Sequence, residues 1–474
     1  MISLKTTYRI LRNIALGLIV VIIAVLITRN FLYQKEEKKD AFRRIRERGY
    51  LIALTDKNTL NYFIYRGEPM GYQLSLLESF CKNLGVPLRI IVSSDISKLF
   101  YYLDNNVADI IALNLPVSHE GKKLVHFSLP FGETRLVVVQ RKNFPKNGNH
   151  NAGFQTLKDF PVDTVFVRQN AFFTPFYQLF VKKTSHRAIL KELQGVSQED
   201  LIRMVSEGRI PFTICQENVA MVYKRYYRNI DASLVISPLF SYSWGVSHAS
   251  DSLLTRINDW INSVKSSGEL KKTYLDYFDN QRIVKFFQSD YFSINGRKLS
   301  PFDLEIRKFS SWINWDWRLL ASLIYEESNF RLGQVSSHYA SGLMQLMPET
   351  AEKFGADSLS PPGEQIAAGV KYIRYLAHNL PSGITDPRER IHFLLASYNV
   401  GIGRILTARE KAKKFGRDPN IWNGHVDYFL LRKSKKNPYI KADSLDFMPA
   451  DYKMEGFVDD IMNRYMHYKN IIPE

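Results

Sequence analysis

The chain has 474 residues, with 64 Lys and Arg against 47 Asp and Glu and a formal charge of +17. At 45 % hydrophobic, 13 % aromatic and 23 % charged residues, it reads as roughly three globular units, which excludes a mainly disordered chain, a collagen-like repeat and a multi-span membrane protein. Two cysteines, Cys81 and Cys215, exclude a disulfide framework or a cysteine-rich zinc centre, and two buried free thiols are expected, with a single disulfide as the alternative.

Lys5, Arg9 and Arg12 precede an unbroken apolar run over residues 14–27, the pattern of an export signal. The run falls short of the ~20 residues of a full span, but Phe31, Leu32 and Tyr33 extend it if Arg29 reaches to the interface. No small-x-small cleavage site follows, so residues 1–33 are expected to be an uncleaved signal-anchor, with a cleaved signal peptide as the alternative. Residues 34–48, QKEEKKDAFRRIRER, read as a solvated charged stalk.

From Tyr50 short apolar runs alternate with amphipathic helices. LIALT (51–55), LRIIVS (88–93), DIIALNL (109–115) and RLVVVQR (135–141) read as strands, and LSLLESFCKNLG (74–85) as a helix closed by Gly85. A loop rich in Asn, Gly and Pro (142–153) leads to a second alternating block, and LFSYSWGVS (239–247) returns to the first. This predicts a two-lobed α/β unit over residues 49–282, with lobe 1 at about 49–140 and 238–282 and lobe 2 at about 145–237. A lobe entered twice leaves a cleft, where small ligands bind. Residues 283–302 read as a linker and 303–474 as a mainly α domain.

There is no HExxH, no GxxxxGK[ST] and no GxSxG, and Gly401 and Gly403 lack the third glycine of a dinucleotide loop. No metal and no cofactor are expected, and no nucleic-acid module is recognisable. The informative residue is Glu327. On a helix through DWRLLASLIYEESNF, Ile313, Trp317, Leu320, Leu323 and Ile324 share one face, and Glu327 projects into its middle. Desolvation there raises a carboxyl pKa, as a general acid for a glycosidic oxygen requires. A buried Glu paired with an Arg or Lys would give the same pattern.

ESNF (327–330) is followed by SSHYASGLMQLMPETA (336–351) and ASYNVGIG (396–403). These spaced motifs resemble the lytic transglycosylases with the goose-type lysozyme fold, whose pattern is an ES helix, S-x-x-G-A-x-G-L-M-Q-x-M-P-x-T-A and A-Y-N-x-G. The resemblance implies that Glu327 is the catalytic acid, that Ser336, Met344 and Gln345 line a saccharide groove, and that Tyr398 and Asn399 sit against the acid. Two positions depart from the pattern: Tyr339 stands for Gly, and Ser397 for Ala. Upstream, NYFIYRGEPMGYQLSLLESFCKNLG and ADIIALNLPVSHEGKKLVHFSLPF resemble the amino-acid-binding class of periplasmic solute-binding proteins. There the resemblance places Gly121, with Lys122 beside it, where a ligand-clamping Arg belongs, and matches Glu217 to the acid that grips an amino group. The fork an Arg offers a carboxylate is not reproduced by Lys.

The implied architecture is an N-terminal periplasmic-binding-protein-like α/β domain followed by a lysozyme-like α domain. The implied activity is non-hydrolytic cleavage of peptidoglycan in the envelope of a Gram-negative-type bacterium, membrane-associated and facing the periplasm. Glycan strands are the expected partner, and a small muropeptide or amino-acid-like molecule the expected ligand of the first domain. A hydrolysing muramidase would need a second carboxylate. A ligand-binding envelope receptor would use the C-terminal domain only to grip glycan.

Overall fold

The computed structural model describes residues 40–472 apart from 94, 143–155, 161–162, 170–172, 186, 280–285, 287–288, 295–297, 337–338 and 431–455. The expected signal-anchor, the start of the stalk and most of the 142–153 loop lie outside the described residues. Among the described residues no helix is long and apolar enough to cross a membrane.

The end of the expected stalk is instead docked. Helix α1 (Ala41–Arg48) buries Ala41 and Ile45, and the Arg48 guanidinium pairs with the fully buried Asp109, with Arg44 at 3.5 Å. Two apolar side chains one turn apart anchor a segment that charge count alone reads as solvated.

The first lobe is built on a six-stranded sheet. Strands β1 (Leu51–Thr55), β4 (Leu88–Val92) and β5 (Ile110–Pro116) are parallel, in the order β4-β1-β5. Between β1 and β4 lie a hairpin of β2 (Phe63–Tyr65) and β3 (Glu68–Met70) and helix α2 (Tyr72–Leu84), closed by Gly85 in the left-handed conformation as expected. Helix α3 (Ile96–Asp104) precedes β5. Helix α4 (His119–Leu124), β6 (His126–Phe127) and β7 (Gly132–Thr134) follow it.

The chain then crosses into a five-stranded sheet in the order β10-β9-β11-β8-β12, formed by β8 (Leu136–Arg141), β9 (Asp163–Arg168), β10 (Ala188–Leu193), β11 (Phe212–Gln216) and β12 (Ile230–Val235). Strand β8, expected at the end of lobe 1, belongs to this second sheet, where it pairs antiparallel with β11 and β12. Its LVVV run is buried in either lobe, so the apolar pattern could not distinguish them. Helices α5 (Thr174–Lys183), α6 (Gln198–Ser206) and α7 (Glu217–Tyr226) accompany the second sheet. Strand β13 (Phe240–Val246) returns to the first sheet beside β5, as the sequence predicts, and α8 (Asp251–Ser266) and α9 (Glu269–Phe278) follow. Cys81 and Cys215 are both buried and free.

The C-terminal part is helical: α10 (Asp303–Ser310), α11 (Trp317–Ser328), α12 (Pro348–Phe354), α13 (Pro362–Asn379), α14 (Pro387–Val400), α15 (Ile402–Lys414) and α16 (Phe457–Ile471). Helix α11 is the centre. Asp316 caps its N-terminus by accepting from the Arg318 amide, and Asn329 ends it in the left-handed conformation. It is buried on every face from Trp317 to Tyr325, the mark of a helix surrounded by others. Helix α16 crosses it, and the Ser322 hydroxyl donates to the Ile461 carbonyl at 2.7 Å.

One apolar core joins the two parts: Tyr62, Ile64, Leu74 and Ile90 of the first lobe pack in the same cluster as α11, α14 and α16. The tip of the β2–β3 hairpin is the wedge. Gly67 (φ +83°) lies so close to Phe330, Tyr325 and Tyr468 that an added Cβ would come within 2.6–2.7 Å of the first two rings and 2.9 Å of the Tyr468 hydroxyl, and its carbonyl accepts from that hydroxyl at 2.7 Å. Tyr62 bonds His467 Nδ1 at 2.6 Å on the same face.

Candidate functional site

Glu327 lies one residue before the end of α11 and is half-buried. Its neighbour Glu326 faces the other flank, where Arg464 of α16 holds it at 2.6 Å. The serine after Glu327 ties the helix to the next segment: Ser328 Oγ donates to the Leu343 carbonyl at 2.9 Å, with the Ile324 carbonyl at 3.0 Å as the alternative acceptor.

The described residues of 334–336 and 339–346 bond to one another and to that helix end. The Ser336 amide donates to the Ala340 carbonyl at 2.9 Å, and its hydroxyl accepts from the Ala340 amide at 3.1 Å. Gln345 spends both amide hydrogens inside the loop, on the carbonyls of Gln334 and Gly342 at 2.8 Å each, leaving its side-chain oxygen as the group that can accept from a ligand. Behind the loop, buried Gln365 of α13 accepts from the Leu343 amide at 2.9 Å. Met344, expected on the groove, is only 1 % exposed and lies against Gly369 of α13. Its backbone faces the site instead, since its carbonyl accepts from Tyr398 Oη at 2.6 Å.

Tyr398 comes from α14 and is buried. Burial pushes its phenol well above the ordinary range, and the negative charge of Glu327 adds to the shift. This interaction brings the carboxylate and the phenol together, although 70 residues of sequence separate them. Asn399 is half-buried beside Tyr398. Ser397 is fully buried, and its hydroxyl has no partner among the described residues.

Eight described non-glycine residues have positive φ, and four of them lie here: Asn329, Phe330, Tyr339 and Gln345. Left-handed backbone costs a residue with a Cβ about 1–2 kcal/mol. Such strain concentrated in one segment is characteristic of functional sites.

The cleft between the two sheets is occupied by the protein's own side chains. Arg168, at the end of β9, reaches across to Asp56, after β1, at 2.8 Å. Asp56 also accepts from Asn58 and Asn61 at 2.7 and 2.8 Å. Thr59 meets the Tyr223 hydroxyl across the same gap, and Gln216 donates to the Asn114 carbonyl at 3.3 Å. Glu199 is buried beside them, and desolvation raises its carboxyl to about 7. The cavity left among these groups is about 50 Å³, room for a water or two.

Neither residue predicted for this cleft lies in it. Glu217 turns away to a two-pronged ion pair with Arg135 at 2.7 Å, where the chain crosses between the sheets. Lys122 is exposed on α4. Asp56 and Arg168 were missed, yet each is a charged residue ending a parallel strand, the edge of an open α/β sheet at which ligands bind.

Fold and motif loop together define a two-part class of protein, a solute-binding fold carried on a helical transglycosylase. Residues 306–421 match the Transglycosylase SLT domain and residues 51–280 the Bacterial extracellular solute-binding proteins, family 3. A protein of Pseudomonas fluorescens Pf-5 is 30 % identical over 410 residues, 86 % of this chain and 82 % of its own. One from Desulfosudis oleivorans is 29 % identical over 90 % of this chain and 92 % of its own. Both are named membrane-bound lytic murein transglycosylase F, and the chain belongs to that family. It is thus a lytic murein transglycosylase. Solved structures similar to its first half include a mutant of ArgBP from T. maritima, at 21 % identity and a TM-score of 0.44, covering 51 % of this chain and all of that one.

Proposed function

We propose that the chain cleaves the β-1,4 bond between N-acetylmuramic acid and N-acetylglucosamine without water, with Glu327 as acid and then base. Protonated Glu327 gives its proton to the glycosidic oxygen as the bond from C1 breaks, assisted by the substrate's acetamido group. The resulting carboxylate takes the proton of the muramic acid 6-hydroxyl as that oxygen bonds to C1. The product is a 1,6-anhydro end, and the proton count closes with the enzyme unchanged. Tyr398, Asn399, Ser336 and the Gln345 amide oxygen orient the sugars, while Met344 contributes through its backbone.

A single observation carries this reading. The segments framing Glu327, residues 328–348 and 390–409, contain no Asp or Glu, and Glu326 is held by Arg464. A hydrolysing glycosidase needs a second carboxylate about 5–9.5 Å from the first, whereas an attacking hydroxyl supplied by the substrate needs none.

In this reading residues 303–474 form the catalytic unit and 49–282 the ligand-binding unit, whose ligand, an amino-acid-like or muropeptide molecule, modulates cleavage through the shared core. The relatives' name and the apolar run at residues 14–27 support a membrane-associated enzyme facing the periplasm. The test is mass spectrometry of soluble products from purified murein sacculi. The parent releases muropeptides lighter by one water, and Glu327→Gln lowers release by about 10²–10⁴-fold with its melting temperature preserved. Reducing-end products, or an active Glu327→Gln, would overturn the mechanism.

A further inference from the structure

Tyr339 is held in a way that folding does not explain. Its φ of +65° is in the left-handed region, where glycine is at ease and a residue with a Cβ is not. Its ring is 77 % exposed, so it gains little from burial. It sits in the loop that Ser328 and Tyr398 tie to the site, through Leu343 and Met344, and its own amide donates to the Ser336 carbonyl at 3.0 Å. The same stretch exposes Leu332, Val335 and Met347. Exposed apolar side chains gathered on one segment mark a contact surface.

We infer that Tyr339 is a substrate-contacting residue, a platform whose ring packs on the C–H face of a pyranose in the glycan strand held beside Glu327. This rests on the proposed transglycosylase reading and adds to it a determinant of glycan binding. A pyranose suits the position because one face of the sugar is apolar while its rim is hydroxylated. A tyrosine ring is likewise an apolar plane with a polar tip. The strain of the left-handed backbone is then compensated in the complex.

The experiment uses the full chain and soluble uncrosslinked glycan strands, comparing Tyr339→Gly and Tyr339→Phe with the parent. Tyr339→Gly removes the ring and relieves the backbone. It is expected to raise KM about five- to tenfold, leave kcat within twofold and leave the melting temperature unchanged or higher. Tyr339→Phe keeps the plane and stays within twofold of the parent in KM. An unchanged KM in Tyr339→Gly overturns the inference, as does a Phe variant as impaired as the Gly variant, which would assign the effect to the hydroxyl. A lower melting temperature in Tyr339→Gly would show a structural role and also overturn it. A parent that releases no anhydro-ended product defeats the underlying reading instead, so the two failures are distinguishable.

Discussion

At the proposed groove, Glu327 and Asn399 are half-buried near the ends of α11 and α14, and Gln345 bonds back to the carbonyls of Gln334 and Gly342. In the cleft, Asp56 and Arg168 are consumed by each other, and Asn58, Asn61 and Gln216 bond within the protein. The cleft cavity is about 50 Å³, against about 430 and 450 Å³ for two cavities lined by residues of both parts of the chain. A ligand of the cleft must first replace an internal ion pair, which sets a threshold for binding and favours ligands carrying their own charged groups.

The most forceful way to break the contrast is Arg168→Met. Removing one partner of a buried pair leaves the other charge stranded, and such losses run to about 3–5 kcal/mol. The variant should unfold at markedly lower urea than the parent, and adding Asp56→Asn should recover part of the loss. If Arg168→Met is as stable as the parent, the cleft is not latched by this pair.

The pH response sharpens the same point. Glu199 keeps its proton to about pH 7 in the fold but titrates near 4.5 when free. The folded state is therefore the better proton binder between those values, and its stability falls as pH rises from about 4.5 to about 7. Glu199→Gln removes that loss. It should match the parent near pH 4.5 and exceed it by about 2–3 kcal/mol at pH 8, measured by urea denaturation at both values. A gap that does not widen with pH would show that Glu199 is already ionised in the fold.

The two sites also differ in how far they can be read from sequence. The residues proposed for the groove, Glu327, Ser336 and Gln345, fall within one short stretch, and the bond from Ser328 to the Leu343 carbonyl ties that stretch together, so spacing alone carries the pattern. Only Tyr398 and Asn399 come from afar, and their motif is distinctive. Met344 misled because the motif fixes its position but not whether side chain or backbone faces the groove. The cleft draws Asp56, Arg168, Glu199 and Gln216 from four separate elements that only the crossovers bring together. Gln216 ends β11 facing the gap, and Glu217, the first residue of α7, turns away to Arg135. A strand that passes directly into a helix sends neighbouring side chains in different directions, which a sequence match does not encode. The docking of α1 and the placement of β8 were hidden for a related reason, since a buried apolar run does not name its partner.

The smallest expected effect tests whether the groove is as well satisfied as its loop suggests. Ser397 is fully buried one residue before Tyr398, and its hydroxyl lacks a partner among the described residues. An unsatisfied buried hydroxyl costs about 1–3 kcal/mol, and alanine is also the better helix former. Ser397→Ala, which restores the residue found in the transglycosylase motif, should therefore stabilise the chain by about 1 kcal/mol and raise its melting temperature by roughly 2–4 °C. Release of muropeptides from sacculi should stay within twofold, because the bond from Tyr398 to the Met344 carbonyl is untouched. A fall in melting temperature would mean that the hydroxyl does find a partner in solution. A fall in activity at unchanged stability would make Ser397 part of how this chain holds Tyr398 against Glu327, and the groove would then share the cleft's dependence on internal polar contacts.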